Sequence, residues 1–284
     1  MSENPENIIA YQGYPGAYSQ MACNAKFPLL ETMPCPTFEL AMDAVREGKA
    51  KFAMLPVENS VAGRVADIHS LLPNSNLYIV GEHYQRIEHC LMACKGATID
   101  SIKTVHSHIQ ALSQCRKMIK KYGFERCPEA NTAIAAKNIA LDKDKTKAVI
   151  ASRLSAEIYG LDILIPNIED SDHNTTRFLV MSKDYRLPPR NGSAYVTSFI
   201  FKVKNIPAAL YKSLGGFATN GVNMTKLESY LGEGDFVAAQ FYADVEAHPE
   251  DRGLKLAMEE LSFFSEEINI LGTYLAHPYR FLSR

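Results

Sequence analysis

The 284-residue chain has almost no net charge, no long apolar run and no paired-cysteine spacing, and each absence closes off a class of function. Thirty Lys and Arg against 32 Asp and Glu leave a formal charge of −2, spread along the chain without blocks. Such a surface offers no electrostatic footprint to nucleic acid or to an anionic membrane. The opening MSENPENIIAYQG is polar for seven residues and then makes only a short apolar run, neither a signal peptide nor a membrane span. A cytoplasmic protein with a small-molecule or protein partner is expected. Six cysteines, at 23, 35, 90, 94, 115 and 127, lie in the first half, mostly inside apolar-periodic segments and without CxxC pairs. They read as reduced core thiols rather than zinc ligands. There is no GxGxxG, no Walker sequence and no metal quartet, so no nucleotide or metal cofactor is expected. Internal repeats and low-complexity tracts are also missing.

What is present is an ordinary globular composition, 46% hydrophobic and 22% charged, long enough for two domains. IIAYQG is a strand ending in a glycine turn, AYSQMACNAKF has helical spacing, FELAMDAVREG is an amphipathic helix stopped by Gly48, and KFAMLPV is a strand broken by Pro56. This is the βαβ rhythm of a parallel sheet with helices on both faces. NLYIVGEHYQRIEHCLMAC is extended, and a second α/β set follows: strand KTVHS, helix IQALSQCRKMIKKYG, helix NTAIAAKNIAL, strand KAVIAS, helix RLSAEIYG and strand DILI. Two α/β lobes joined by crossover strands are expected, with NTTRFLVM as the return crossing. Clefts between lobes are favoured ligand sites. SKDYRLPPRNGS, rich in Pro, Gly and charge, reads as a linker. Beyond it the pattern becomes βαββαβ, with a helix starting at Pro207, in the manner of a ferredoxin-like domain. Such a domain would leave one sheet face and an edge open, which favours pairing with a second copy.

The junction DSDHNTTRFLVM sets polar groups against a buried strand, and strand ends hold side chains rigidly toward a cleft. In PVENSVAGRV, Glu58 could move a proton, Asn59 and Ser60 could bind polar atoms, and Gly63 permits close backbone approach; equally, Asn59 or Ser60 could cap a helix. Ser107 beside His106 suits a helix N-cap near an anion better than a nucleophile, and Gln114 follows on the same helix. Asn131 and Thr132 open another helix as caps. His173 lies in a polar loop.

Taken in order, GYPGAYSQ, LPVENSVAGRV, VHSHIQALSQC, NTAIAA and NTTRFLV resemble the prephenate dehydratase family, and the tail from about Tyr195 to His277, with NIPAAL and GVNMTKLES, is similar to its regulatory ACT domain. The resemblance covers nearly the whole chain. It implies a two-lobed periplasmic-binding-protein-like catalytic domain over 1–185, its lobes at about 8–85 with 175–183 and about 86–174. A linker at 186–193 and an ACT domain at 194–284 complete it. The implied activity is a carbon–oxygen lyase reaction, the decarboxylating dehydration of prephenate to phenylpyruvate, with feedback by phenylalanine and a homodimer or homotetramer. The threonine before Arg-Phe maps onto Thr176, flanked by Thr175, Arg177 and Phe178. Thr176 is expected to orient the leaving hydroxyl, with Glu58 as candidate proton source and Asn59 beside them. Ser60, Ser107, Gln114, Thr132 and Asn174 would hold the remaining substrate oxygens.

A bidentate grip on the departing carboxylate would stabilise the ground state, so Arg177 is expected either at the pyruvyl carboxylate or paired with an acidic neighbour. The effector would meet Asn205, Pro207, Ala208, Ala209, Leu210, Asn223, Leu227, Glu228 and Ser229. Two departures from the family pattern stand there: Ala208-Ala209-Leu210 in place of Gly-Ala-Leu, and Glu228-Ser229-Tyr230-Leu231 in place of Glu-Ser-Arg-Pro. Arogenate is the alternative substrate, and a non-catalytic amino-acid or keto-acid sensor the alternative of another class.

Overall fold

The computed structural model describes residues 4–231 and 238–282 and packs as two compact units, Met1–His69 with His83–Phe178, and Ser70–Glu82 with Leu179–Arg284. The chain opens β1 (Ile8–Gln12), α1 (Tyr18–Lys26), β2 (Glu31–Cys35), α2 (Phe38–Arg46) and β3 (Phe52–Asn59). β1 pairs in parallel with both β2 and β3, and Ile8 to Tyr11 are all buried. A strand covered on both faces reads as a continuous apolar run rather than an alternation. α2 begins where Thr37 accepts from the Leu40 N–H and buries Ala41, Met42, Ala44 and Val45 on one face. Then come β4 (Gly63–Arg64), α3 (Ala66–Leu71) and β5 (Tyr78–Arg86).

The chain next builds a second sheet from β6 (Cys90–Ala93), β7 (Thr104–His108), α4 (Ile109–Gln114), α5 (Arg116–Tyr122), β8 (Glu125–Glu129), α6 (Thr132–Asp142), β9 (Lys147–Ala151), α7 (Arg153–Tyr159) and β10 (Asp162–Ile165). β11 (Thr175–Ser182) returns to the first sheet. The orders are β2-β1-β3-β11-β5, with β4 on β3, and β10-β6-β9-β7-β8. This is the expected two-lobed arrangement, entered through β5 and left through β11. The lobes are stitched at Gly16, whose carbonyl accepts from Ser152 and Ser155 of the second lobe at 2.5 and 2.9 Å. Gly16 has φ +90°, and a Cβ there would stand 2.9 Å from the Ser155 Cα, so GYPGAYSQ needs its glycine.

Several local expectations change. β2 and β8 are strands that the sequence pattern hides: each is a sheet edge and carries a proline, Pro34 opposite Tyr11 and Pro128 opposite Ser107. β3 runs through Pro56 rather than breaking there. Its register with β1 ends at Met54, so no ladder donor is required of Pro56 on that side. The helix expected over 109–123 is two helices, because Asp170 accepts from the Arg116 and Lys117 N–H groups at 2.9 and 3.1 Å and starts α5 afresh.

In the second unit the order is β12 (Tyr195–Val203), α8 (Ala209–Thr219), β13 (Met224–Leu231), β14 (Ala238–Val245), α9 (Arg252–Phe264) and β15 (Ser265–Leu275). The sheet order is β13-β14-β12-β15, the expected ferredoxin-like βαββαβ. One sheet face sends Phe199, Phe201, Phe241 and Val245 against Phe217, Leu254 and Leu261 of the helices. The other face is not open as expected. It carries buried Ser198, Tyr242, Asp244 and Tyr274: Ser198 and Tyr242 donate to the Asp244 carboxylate, the Tyr274 hydroxyl meets Ser198 at 2.9 Å, and Arg280 reaches Glu82 at 2.6 Å beside them. Ser70–Glu82 and the C-terminal turn supply the cover. α8 starts two residues later than expected, after Ala208 takes a left-handed conformation, φ 58° and ψ 27°.

Candidate active site

The turn between β3 and β4 is set by one side chain. Asn59 Oδ1 accepts from the backbone N–H groups of Val61 and Ala62 at 3.0 and 2.8 Å, which fixes the carboxamide plane and leaves Nδ2 pointing away from the turn. Gly63, at φ +83°, closes the hairpin opposite Asn59. The segment is thus a hairpin turn rather than the helix cap that was its alternative reading. Asn59 Nδ2 donates to Thr176 Oγ1 at 2.9 Å and Asn174 Oδ1 at 2.8 Å, with Thr175 O at 3.3 Å. Ser60 adds three bonds: its N–H to Thr175 O at 2.9 Å, its hydroxyl to His173 O at 2.8 Å, and its Oγ accepting from Thr175 N at 3.0 Å. ENS and NTT, 115 residues apart, form one hydrogen-bonded unit.

Thr176 is 9% exposed and accepts from an amide, so its own O–H remains to be given outward. A hydroxyl held in this way is a preorganised donor to a departing or developing oxygen. Successive strand residues face opposite sides of a sheet, and the partners follow that rule. Thr176 meets Asn59, whereas Arg177 meets Glu58, Nη1 to Oε1 at 3.0 Å. Arg177 is 2% exposed on a central strand, and Phe178 beside it is core. Of the two expectations for Arg177, acidic pairing is the arrangement present. The same alternation turns Glu58 away from the Thr176 hydroxyl, which removes the geometric basis for Glu58 as its proton source.

The second lobe contributes Gln114, at the end of α4. Its Oε1 accepts from Asn174 Nδ2 at 3.1 Å and stands 2.9 Å from His89 Nε2. The Asn174 carbonyl takes Arg86 Nη1 and the Ile87 N–H, both at 2.9 Å, and Arg86 pairs with Glu169 at 3.2 Å. Arg86, His89, Glu169 and Tyr18 had escaped sequence reasoning. The available signal was the density of polar residues in HYQRIEH and NIEDSDHN, segments otherwise extended or looped. Burial lowers the His89 pKa, opposed by its bond to Gln114 and by Glu169.

The other expected residues stand apart from this network. Ser107 is fully buried in β7 and donates to Ile150 O at 2.6 Å; the N-cap of α4 is His108, because β7 runs one residue further than expected. Asn131 alone caps α6, accepting from Ala133 and Ile134 N–H, and Thr132 is the first helical residue. His106 pairs with Glu129. Among the described residues no cluster of His, Cys, Asp and Glu could hold a metal, and no helix is long and apolar enough to cross a membrane. The cysteines are free, five of them buried.

In the C-terminal domain Asn205, Pro207 and Ala208 are exposed between β12 and α8, while Ala209 and Leu210 turn into the domain core. Along β13, Asn223 donates to Glu246 at 2.8 Å and Glu228 accepts from Lys226 at 3.1 Å; Leu227 and Ser229 are exposed.

Comparison with known proteins bears on both regions. The family profile described as "Prephenate dehydratase" matches residues 9–186. The "Bifunctional N-acyl-homoserine lactone acylase/prephenate dehydratase" of Komagataeibacter europaeus is 50% identical over 277 residues, 98% of this chain and 99% of that protein. "Arogenate dehydratase/prephenate dehydratase 2, chloroplastic" of Arabidopsis thaliana is 37% identical over 275 residues, 94% of this chain and 72% of that protein. Among solved structures, the prephenate dehydratase from Arthrobacter aurescens in complex with L-Phe superposes with a TM-score of 0.86 at 28% identity, covering 95% of this chain and 90% of that one.

Proposed function

This chain belongs to the prephenate dehydratase family and is a dehydratase, and from that premise we propose that it converts prephenate to phenylpyruvate at Thr176 under phenylalanine control. The observation that carries the proposal is the Asn59 carboxamide, locked by two backbone donors and donating to Thr176 Oγ1 at 2.9 Å. In the reaction the ring carboxylate leaves as carbon dioxide, the C–C electron pair enters the ring, and the ring hydroxyl departs and takes one proton to become water. Aromatisation supplies the driving force, and the protein has to orient the substrate and stabilise the leaving oxygen. Thr176 donates to that oxygen as charge develops on it, and the proton comes from solvent through this hydroxyl. Arg177, paired with Glu58 on the other face, is not offered as a counter-ion to the departing carboxylate, whose ground state such a grip would stabilise. Ser60, Gln114 and Asn174 hold the side-chain oxygens, with Gly63 shaping the turn. Ser107 supports β7 from within.

The βαββαβ domain, 194–284, is proposed as the regulatory domain. Support comes from its sheet order and from the phenylalanine bound to the Arthrobacter aurescens relative. Phenylalanine would meet the loop at Asn205, Pro207 and Ala208 and the strand at Asn223, Leu227, Glu228 and Ser229. The edge strands β13 and β15 suit pairing with a second copy in a homodimer or homotetramer. The deciding experiment is phenylpyruvate formation from prephenate by the purified protein, with and without phenylalanine, and with arogenate in parallel. Turnover of prephenate that phenylalanine suppresses supports both parts; turnover of arogenate alone replaces the substrate, as the names of the plant relatives suggest.

The name of the Komagataeibacter europaeus relative supports a second reading, cleavage of the amide in an N-acyl-homoserine lactone. The local feature bearing on it is the Ser171 hydroxyl, which lies between the ring nitrogens of exposed His173, 2.9 Å from Nδ1 and 3.2 Å from Nε2, just ahead of Asn174. Acyl-chain release that survives Thr176→Ala and is lost in Ser171→Ala would establish it; no release by the wild-type protein would dismiss it.

A further inference from the structure

Hydrogen-bond direction can be followed outward from the turn at Asn59, and it ends on a residue that the reaction has not yet used. The backbone N–H groups of Val61 and Ala62 force Oδ1 of Asn59 inward, so Nδ2 must donate to Asn174 Oδ1. Asn174 Nδ2 must then donate to Gln114 Oε1. That oxygen cannot donate, so the contact at 2.9 Å from His89 requires a proton on Nε2. At the far side of the ring, Nδ1 lies 2.8 Å from the Tyr18 hydroxyl, which donates to Glu88 O at 2.9 Å. His89 is 3% exposed, and its ring meets that of Tyr18 edge-on with centroids 5.5 Å apart.

We propose that His89, as the Nε2–H tautomer, is a positioning residue for the dehydration: its bond to Gln114 pins Gln114 and Asn174 against the Asn59 carboxamide that orients the Thr176 hydroxyl. A carboxamide at the end of a six-residue helix is free to rotate about its last torsions unless both its contacts are made. With the His89 donor in place, Gln114 Oε1 holds two donors, and Asn174 is fixed between Gln114 and the Asn59 carboxamide that the turn already sets. Around the Tyr18–His89 pair stand Glu88, Glu169 with its partner Arg86, and the thiols of Cys90 and Cys115. Burial raises both thiols and the Tyr18 phenol above their ordinary ranges and lowers the imidazole, so the phenol keeps its one proton, which lies between Glu88 O and Nδ1, and the neutral ring carries its own proton on Nε2. His89 acts through other residues and touches no reacting atom, so the inference rests on the proposed role of Thr176.

Three substitutions separate orientation from packing. Glutamine can present its amide nitrogen where Nε2 of histidine stands, asparagine only where Nδ1 stands, and leucine neither. His89→Leu is expected to lose about ten-fold in kcat, the worth of roughly one hydrogen bond, with a smaller rise in KM because Gln114 and Asn174 also hold substrate oxygens. His89→Gln should recover to within about three-fold of wild type, and His89→Asn should resemble His89→Leu. Equal losses in His89→Gln and His89→Asn, or none in His89→Leu, would overturn the proposal. Nitrogen-15 NMR of the wild-type imidazole near neutral pH decides the tautomer without any variant: a proton on Nε2 and none on Nδ1 is expected, and the reverse refutes the proposal. A wild-type protein inactive on prephenate and arogenate would instead count against the proposed function, whichever tautomer is seen.

Discussion

The region around Thr176 and the loop around Ala208 are built on opposite terms. Asn174, Thr175, Thr176 and Arg177 are buried, and their polar groups are bonded to ENS, Gln114 and Arg86. Asn205, Pro207 and Ala208 are exposed, and Ala208 sits in the left-handed region that disfavours a Cβ. A group that must meet a leaving oxygen gains from being set before the ligand arrives, because alignment then costs nothing during the reaction. A loop proposed to take an effector shifts an equilibrium only through differential binding, so it can remain open and even strained in one state.

The largest expected effect lies in the prearranged region. Thr176→Ala should lower kcat on the order of 10²- to 10³-fold while the protein remains folded, and Thr176→Ser should retain part of the activity. Near-normal turnover by Thr176→Ala would end the argument from Asn59. Arg177→Met tests the other face of the same strand. It breaks the Arg177–Glu58 pair, whose carboxylate is one-third exposed, and should cost about 2 kcal/mol in urea denaturation while kcat of the folded protein changes only a few-fold. A collapse of kcat at unchanged stability would return Arg177 to the substrate.

Acidification should weaken the first unit more than the second. His89 and His108 both have lowered pKa values, chiefly through burial, so the unfolded chain binds protons that the folded protein refuses. Their contribution is fully present above the unfolded value of about 6.5 and is lost as pH falls below it toward the folded values. The urea midpoint should therefore drop between pH 7 and pH 5, and by less in His89→Gln. The smallest effect belongs to the loop. Ala208→Gly relieves a positive φ at the cost of extra unfolded-state entropy, a net gain of about 0.5 kcal/mol, with kcat unaltered in the absence of phenylalanine. A clear loss of stability would mean that the loop depends on the alanine methyl.

Legibility in the sequence followed the physical range of each signal. Apolar runs announced β1 and β9, and helical spacing ended by Gly48 announced α2, because strand burial and helix periodicity depend on residues close in sequence. β2 and β8 escaped because prolines and edge exposure mask short strands, and the break after Gln114 escaped because the residue that caps α5, Asp170, is more than fifty positions away. The grouping of ENS with NTTRF came from family resemblance. Nothing local says that Asn59 faces Thr176 while Glu58 faces Arg177; strand alternation states only that the members of each pair part company.

Residue order and type alone determined a two-lobed α/β chain followed by a βαββαβ domain, since hydrophobic periodicity and turn chemistry act within a few residues of themselves. Packing decided which polar groups meet. The Thr176 hydroxyl is aimed by Asn59, Asn59 by a backbone turn and Asn174, and Asn174 by Gln114 from the other lobe, in contacts that exist only once β11 has entered between β3 and β5. Hydrogen bonds are short and directional, and over separations of 60 to 117 residues their direction is set by the fold.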